Sequence, residues 1–369
     1  MSCKPKPLSL NPDKSRANLS AAIWDVSPTN GEREIAQAFP NRKRLCTTVA
    51  ELTPAILETL ILMTDTGKHF RPLSIWAFTD NKPGHRNQLE GLISALAERH
   101  PLTCSWIPVD KPCRPLLAAL KHHYRSQAPD IILGAGHSTH KYLLLSRLLT
   151  DGKTIVLMKP TLPMNWFDLV LIPAHDGNFT QDNIITTQGV INKIKPSSRH
   201  PDETKGLFLI GGPSIHYDWD NDGVAGQIVT IANAQPDIRW QLTTSRRTPA
   251  EFIEYLNKRE HKIELVPHAE TDTDWLPRQL ADSGQVWVTE DSVSMIYEAL
   301  TSGACTGLLE IPNKKKGRLH QGVKNLLQNK TLFSYSDWLK TQKIASSPMQ
   351  LREAQRCAEL ILDYFNHVK

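Results

Sequence analysis

Residues 73–100 read LSIWAFTDNKPGHRNQLEGLISALAERH, and this stretch contains one complete structural unit. The run LSIWAFT at 73–79 is mostly apolar, which predicts a strand buried on both faces. The polar turn DNKPGH follows at 80–85, and leucine and isoleucine then recur at helical spacing over 86–100. A strand, a turn and an amphipathic helix in this order predict one unit of a parallel α/β sheet.

The same unit recurs along the rest of the chain. Apolar runs predict further strands at 102–109, 130–134, 154–158, 169–173, 207–210, 239–244, 263–266, 285–289 and 306–310. Helical spacing predicts helices at 115–127, 137–150, 223–234, 249–258, 275–281, 293–302, 319–328 and 348–366. We therefore expect an α/β protein with two Rossmann-like, doubly wound domains.

A polar, turn-rich segment, KPSSRHPDETK at 195–205, separates the two series of units. It predicts a first domain at 71–197 and a second, nucleotide-binding domain at 205–345, followed by a last helix within 346–369. Two such domains and a long last helix resemble the GT-B class of glycosyltransferases, in which that helix crosses back onto the first domain. Residues 1–70 have one helical pattern near 50–63 and are otherwise expected to be a partly disordered extension, with Met63 as an alternative start.

The composition of the chain indicates which classes of ligand it can bind. The 369 residues carry a formal net charge of +5, which suits a nucleotide or another phosphorylated small molecule. The basic residues are scattered, so the concentrated field of a nucleic-acid-binding protein is missing and no nucleic acid is expected. The six cysteines form no CxxC pair and have no histidines at ligand spacing, which predicts neither a metal site nor a disulfide framework.

The apolar runs also bear on location. All are shorter than the roughly 18 residues that a membrane-spanning helix needs. The N-terminus has basic residues but no apolar core of a secretory signal. We expect a cytoplasmic protein, and peripheral contact with the inner face of the membrane or with a lipid-linked acceptor stays open.

The loop after the first strand is the first candidate site, because ligands of open α/β sheets bind beyond the carboxyl ends of the strands. Gly84 is expected to allow the turn, and the N–H groups at the helix start can hold an anion. Lys82 adds a cation, and His85 is the candidate general base. A plain turn with a solvated histidine is the alternative.

The second domain has three candidate loops. In GGPS at 211–214, Gly211 and Gly212 let the backbone approach a ligand and Ser214 supplies a hydroxyl, although a full GxGxxG is missing. In TTSRRTP at 243–249, Arg246 and Arg247 can clamp a diphosphate through charge-assisted hydrogen bonds. The alternative is a structural strand-to-helix turn for GGPS and a solvated helix start for TTSRRTP.

The third of these loops is TEDSVSMIYEALTSG at 289–303. Ser292 is a suitable N-cap, and with Ser294 it brings hydroxyls to a helix start where phosphate can bind. Glu298 lies farther along the same helix, where its carboxylate could accept from both hydroxyls of a ribose. A glutamate on a solvated helix surface is the alternative.

The motifs DNKPGHRNQ, IGGPS, TTSRRTP and TEDSVSMIYEALTSG together resemble the bacterial relatives of the plant mitochondrial fission factor, the elongated-mitochondria family. The resemblance runs from about residue 73 to the C-terminus and implies a GT-B-like fold. For the plant member it implies a role in mitochondrial division. The Gly84–His85 loop and the Glu298…Gly303 spacing also resemble the lipid-linked peptidoglycan glycosyltransferase, which implies an acceptor at the first domain and a uridine nucleotide at the second.

Two hypotheses follow. In the first, the protein transfers a sugar from a nucleotide sugar, which is a co-substrate rather than a resident cofactor, and needs no metal. In the second, it is a non-catalytic interaction protein of membrane or envelope organisation. Binding of nucleotide sugars separates the two.

Overall fold

The computed structural model describes residues 71–109, 128–196, 201–312, 314, 318–345 and 351–367. The predicted extension at 1–70, with its helix near 50–63 and the alternative start at Met63, lies outside these residues. The predicted helix at 115–127 and the start of the predicted last helix at 348–350 also lie outside them.

The first half contains a six-stranded sheet in the order β2-β1-β3-β4-β5-β6. All five strand pairings are parallel. The strands are β1 (Leu73–Thr79), β2 (Leu102–Pro108), β3 (Ile131–Ala135), β4 (Lys153–Leu157), β5 (Leu169–Pro173) and β6 (Ile184–Thr187). The α-helices among the described residues of this half are α1 (Pro83–Ala97) and α2 (His140–Leu149).

The second half contains another parallel six-stranded sheet, in the order β12-β11-β10-β7-β8-β9. The strands are β7 (Asp202–Leu209), β8 (Arg239–Thr243), β9 (Ile263–Val266), β10 (Ser283–Thr289), β11 (Cys305–Leu309) and β12 (Phe333–Ser334). The helices are α3 (Asn221–Ala234), α4 (Phe252–Asn257), α5 (Trp275–Asp282), α6 (Val293–Ser302), α7 (Arg318–Gln328) and α8 (Tyr335–Thr341).

The last helix, α9 (Glu353–His367), packs on the first half. Its buried face contacts the apolar side of α1, and the two helices cover one face of the first sheet. The buried residues of this contact include Leu89, Leu92, Leu96, Cys357, Ala358 and Ile361. The predicted doubly wound α/β fold with a helix that crosses back is therefore confirmed.

The structure differs from the predicted elements where backbone pairing matters more than side-chain pattern. Strand β6 was not predicted, because its sequence IITT offers only two strongly apolar residues. Strand β7 begins at Asp202, inside the predicted linker, where Lys205 pairs with Arg239 of β8. Main-chain hydrogen bonds hold such polar positions in a sheet whatever the side chain is. None of the described helices combines the length and apolar character that a membrane span requires.

The order of strands reverses once in each sheet, between β1 and β3 in the first and between β7 and β10 in the second. At such a switch point the connecting helices leave on opposite faces of the sheet, which opens a crevice at the carboxyl ends of the two strands. The loops after β1 and β3, and those after β7 and β10, therefore contain the positions at which a ligand is expected to bind.

Candidate functional site

A polar cluster lies at the switch point of the first sheet. Asp80, directly after β1, contacts the Nδ1 atom of His85 through Oδ1 at 2.8 Å and accepts from the Ser138 hydroxyl at Oδ2, at 3.1 Å. The ammonium of Lys82 lies 3.1 Å from the same carboxylate. When Nδ1 carries the proton and donates to Asp80, the Nε2 atom of His85 keeps a lone pair that can accept a proton.

The ionisation state of Asp80 favours a proton on the Nδ1 atom of His85. Burial raises the pKa of the carboxyl, but hydrogen bonds from His85 and Lys82 outweigh this effect and lower the pKa to about 2. Asp80 is therefore ionised at neutral pH. A fixed anion at Nδ1 holds the imidazole ring in one orientation and stabilises its protonated form.

The turn before α1 forms differently from the prediction. Asn81, with φ of 58°, takes the left-handed conformation that was expected to require Gly84. Asparagine tolerates this region better than most residues. Gly84 instead lies exposed in the first turn of α1, and no atom lies within 4 Å of the place where a Cβ would be. The predicted role of Gly84 in the turn is wrong, but the open space lets a ligand approach the helix start.

The His85 ring packs against Gly136. Gly136, after β3, has φ of 86°, and a Cβ there would lie 2.4 Å from the Cε1 atom of His85. The ring is thus held between Asp80 on one strand end and Gly136 on the neighbouring one. Only a residue without a side chain fits this position.

The second switch point brings the loops after β7, β8 and β10 together. The N–H of Gly211 donates to the Thr289 hydroxyl at 2.7 Å, and the N–H of Gly212 donates to Asp291 Oδ2 at 3.0 Å. Arg247 lies 2.7 Å from the same Asp291 oxygen. Three groups predicted to bind phosphate are therefore engaged by side chains and backbone of the protein itself.

The other predicted phosphate contacts differ in their exposure to solvent. Arg246 is exposed, and nothing in the described part of the chain forms a hydrogen bond or an ion pair with it. Ser294 is exposed in the first turn of α6. Ser292, the N-cap residue of α6, is buried, and its side chain makes no capping hydrogen bond. The hydroxyl of Ser214 accepts from two backbone N–H groups of its own turn.

Glu298 lies on α6 at the boundary between the two halves. Its Oε1 atom accepts a hydrogen bond of 2.6 Å from the Asn87 amide on α1. The residue is 8% exposed, so the alternative of a glutamate on a solvated helix surface is wrong. Burial raises the pKa of Glu298 to about 7, although the bond from Asn87 and the charge of Lys193 act in the opposite direction. Oε2 makes no hydrogen bond to the described residues.

Other contacts at this boundary were not predicted. The amide of Asn192, which follows β6, donates to the Thr301 hydroxyl on α6 at 3.1 Å. The ring of Tyr297 packs on Gly189, whose φ is 120°, and stacks on His175 with ring centroids 6.3 Å apart. These contacts connect residues that are far apart in sequence, and so no local pattern could have indicated them.

Two missed site residues did lie within a motif that was singled out. Asp80 and Asn87 belong to DNKPGHRNQ, yet neither was assigned a role. Their positions at a strand end and on the first turns of the following helix were the available signal. Within the described residues no group of three or more His, Cys, Asp or Glu side chains is placed to hold a metal ion.

The burial of Glu298 predicts a pH-dependent stability. The pKa of its carboxyl is about 7 in the folded protein against an ordinary value of 4.5, so the folded state binds the proton more tightly. Stability therefore falls as the pH rises from about 4.5 to about 7 and levels off above. Glu298→Gln is uncharged at every pH and is expected to exceed wild type in stability by about 3 kcal/mol at pH 8. Urea unfolding at pH 5 and pH 8 measures the difference.

Glu264→Gln is the matched control, because Glu264 is exposed on β9 and accepts from Gln241 at 2.8 Å. Its stability relative to wild type should not depend on pH over this range. If Glu298→Gln is less stable than wild type at pH 8, the ionised carboxylate stabilises the boundary and the prediction is wrong.

Comparisons with known proteins agree with this architecture. A family model described as Mitochondrial fission ELM1 matches residues 83–365. A protein of Rickettsia prowazekii (strain Madrid E), "Uncharacterized protein RP120", is 22% identical over 347 residues, which cover 78% of this chain and 98% of the relative.

Two solved structures are also similar. The putative UDP-N-acetylglucosamine 2-epimerase from Listeria monocytogenes has a TM-score of 0.54 at 11% identity, covering 80% of this chain and 98% of its own. MurG from Acinetobacter baumannii has a TM-score of 0.48 at 11% identity, covering 79% and 100%. At such low identity the likeness to the epimerase concerns the fold, and it agrees with the two Rossmann-like halves seen here.

Proposed function

The chain belongs to the mitochondrial fission ELM1 family and has a GT-B-like fold, and we propose that it binds a nucleotide sugar between its halves and transfers the sugar. The observation that carries the proposal is the hydrogen bond between Asn87 and Glu298. It joins α1 and α6, the helices that begin at the two switch points, within the first two turns of each. A ligand at this boundary therefore meets the first-half base and the second-half helix start together.

The second half takes the nucleotide in this proposal. The N–H groups at the start of α6 bind the diphosphate, helped by the hydroxyls of Ser292 and Ser294 and by the exposed guanidinium of Arg246. The Oε2 atom of Glu298 accepts from a ribose hydroxyl. Gly211, Gly212, Ser214 and Arg247 remain candidates on the adjacent loops.

The first half supplies the base. The Nε2 atom of His85 takes the proton of an acceptor hydroxyl as its oxygen attacks the anomeric carbon of the sugar. The bond from that carbon to the phosphate oxygen breaks, and its electron pair leaves with the nucleoside diphosphate. Asp80 stabilises the imidazolium that forms, while Lys82 and the α1 helix start hold negative charge nearby. The reaction needs no metal in this form.

Calorimetric titration with a panel of nucleotide sugars tests the proposal. A uridine diphosphate sugar is expected to bind with a dissociation constant below 1 mM. At pH 8, where most of the Glu298 carboxyl is ionised, Glu298→Gln should weaken this binding tenfold or more, because a hydrogen bond to a charged group contributes roughly 1.5–3 kcal/mol. Glu264→Gln should bind as wild type does. If wild type binds no member of the panel at millimolar concentration, the enzymatic proposal fails.

The match to a fission family favours one alternative, a non-catalytic interaction protein that works in membrane or envelope organisation. This alternative keeps the fold and predicts no binding of nucleotide sugars. Both proposals place the protein in the cytoplasm, with peripheral contact at the inner face of the membrane or with a lipid-linked acceptor. Flotation of the protein with anionic and neutral vesicles tests that contact.

A further inference from the structure

A buried carboxylate occupies the glycine loop of the second half. The side chain of Asp291 is 0% exposed, and its Oδ2 atom accepts from the Gly212 N–H and from Arg247. A Cβ at Gly211 would lie 2.3 Å from Oδ2 and 2.4 Å from Oδ1. The carboxylate thus lies directly over Gly211, where a side chain would displace it.

The Asp291 carboxylate occupies a position where a phosphate group of a ligand could bind. A backbone N–H that follows a buried strand and a guanidinium beside it are the groups that bind phosphate oxygens in many proteins. Here both point at Asp291. Arg247 also donates to the carbonyls of Gly212 and Pro213, at 3.0 and 3.3 Å, so it is held above the loop.

One atom of the carboxylate has no partner among the described residues. Asp291 Oδ1 is buried and accepts no hydrogen bond from them, which costs free energy in a folded protein. Asp291 also lies immediately before the N-cap residue of α6, at the helix end where anions are bound most favourably. A phosphate group that reaches this helix start therefore meets a negative charge that is already in place.

We propose that Asp291 competes with the ligand's phosphate for Arg247 and the Gly212 N–H, and thereby sets the phosphate affinity of the second half. The inference rests on the proposed function in that the ligand's phosphate approaches the start of α6. Because Asp291 opposes a bare phosphate, tight binding depends on the nucleoside and the sugar as well. Because pyrophosphate carries more negative charge than the diphosphate of a nucleotide sugar, Asp291 opposes pyrophosphate more strongly.

Inorganic pyrophosphate is the probe, since it needs no recognition of nucleoside or sugar. Asp291→Asn keeps the shape and one acceptor oxygen but removes the charge. It is expected to bind pyrophosphate at least tenfold more tightly than wild type in calorimetric titration, and Asp291→Ser should gain affinity as well. Adding Arg247→Gln to Asp291→Asn should abolish the gain, because the released guanidinium is its source.

Asp272→Asn is the matched control, because Asp272 forms an exposed ion pair with Arg278 in the same half. Its pyrophosphate affinity should equal that of wild type. The proposal is overturned if Asp291→Asn and Asp291→Ser bind pyrophosphate no more tightly than wild type, or if the gain survives Arg247→Gln. It is also overturned if neither Asp291 variant folds, because Asp291 then maintains the fold rather than tuning a site.

A parallel titration with the uridine diphosphate sugar separates this inference from the proposed function. If Asp291→Asn gains pyrophosphate affinity while neither protein binds the nucleotide sugar, the competition holds and the proposed function fails. If wild type binds the nucleotide sugar and Asp291→Asn gains nothing for pyrophosphate, the proposed function holds and the competition fails.

Discussion

Replacing His85 with alanine is expected to lower the rate of sugar transfer by about 10²–10⁴-fold, because a positioned general base contributes that much. The affinity for the donor should change little, since His85 lies in the first half and the donor contacts are proposed in the second. The rate is measured as release of nucleoside diphosphate from the nucleotide sugar that binds in the panel, and donor affinity is measured by calorimetry on the same protein.

His137→Ala is the control for the His85 variant. His137 is also a histidine near a strand end of the first half, in the loop after β3, but it is exposed. Its replacement should leave the rate unchanged. A His85→Ala protein that releases nucleoside diphosphate as fast as wild type would exclude His85 as the base, and a parallel loss of donor affinity would indicate a binding role instead.

Replacing Gly91 with alanine is expected to destabilise the protein by about 3 kcal/mol or more. The added Cβ would lie 2.2 Å from the carbonyl oxygen of Asn192 and 2.4 Å from its carbonyl carbon. These are backbone atoms of the segment that contacts α6, so no side-chain rotation relieves the clash. Helix propensity alone predicts the opposite sign, a gain of about 1 kcal/mol for alanine in a helix. The destabilisation by the clash exceeds the gain from helix propensity, so urea unfolding should show a net loss of stability.

Gly84→Ala on the same helix is the matched control. Nothing lies within 4 Å of the added Cβ, so only the change in propensity acts. The variant should be as stable as wild type or more stable by up to about 1 kcal/mol. If Gly91→Ala unfolds at or above the urea concentration of wild type, α1 does not pack on the Asn192 segment as closely as the structure indicates.

Local patterns sufficed for most of the helices and strands. The apolar runs LSIWAFT, LVLIP and IELV coincide with β1, β5 and β9, and VSMIYEALTS coincides with α6. Burial on both faces of a parallel sheet forces nearly continuous apolar sequence, so such strands are visible without a structure. The polar start of β7 at Asp202 was missed because main-chain pairing imposes no side-chain pattern.

The site was predictable as a set of loops but not as a set of contacts. Ligand sites of doubly wound sheets follow strand ends, which led to His85, Gly211, Arg246 and Ser292. Nothing local distinguishes Glu298 from a solvated helix residue, since its partner Asn87 lies 211 positions away. Likewise, nothing local distinguishes Asp291 from other acidic loop residues, because its partners Gly212 and Arg247 lie on other loops.

The sequence by itself determined the α/β class, the two doubly wound halves and the loops that carry polar chemistry, because each depends on neighbours within about twenty positions of the chain. The tertiary structure alone decided which of those loops meet, that Glu298 is buried against Asn87, and that Asp291 fills the glycine loop. Burial and charge pairing at these residues arise when distant segments exclude water from one another. Neither the periodicity nor the composition of the sequence indicates which distant segments come into contact.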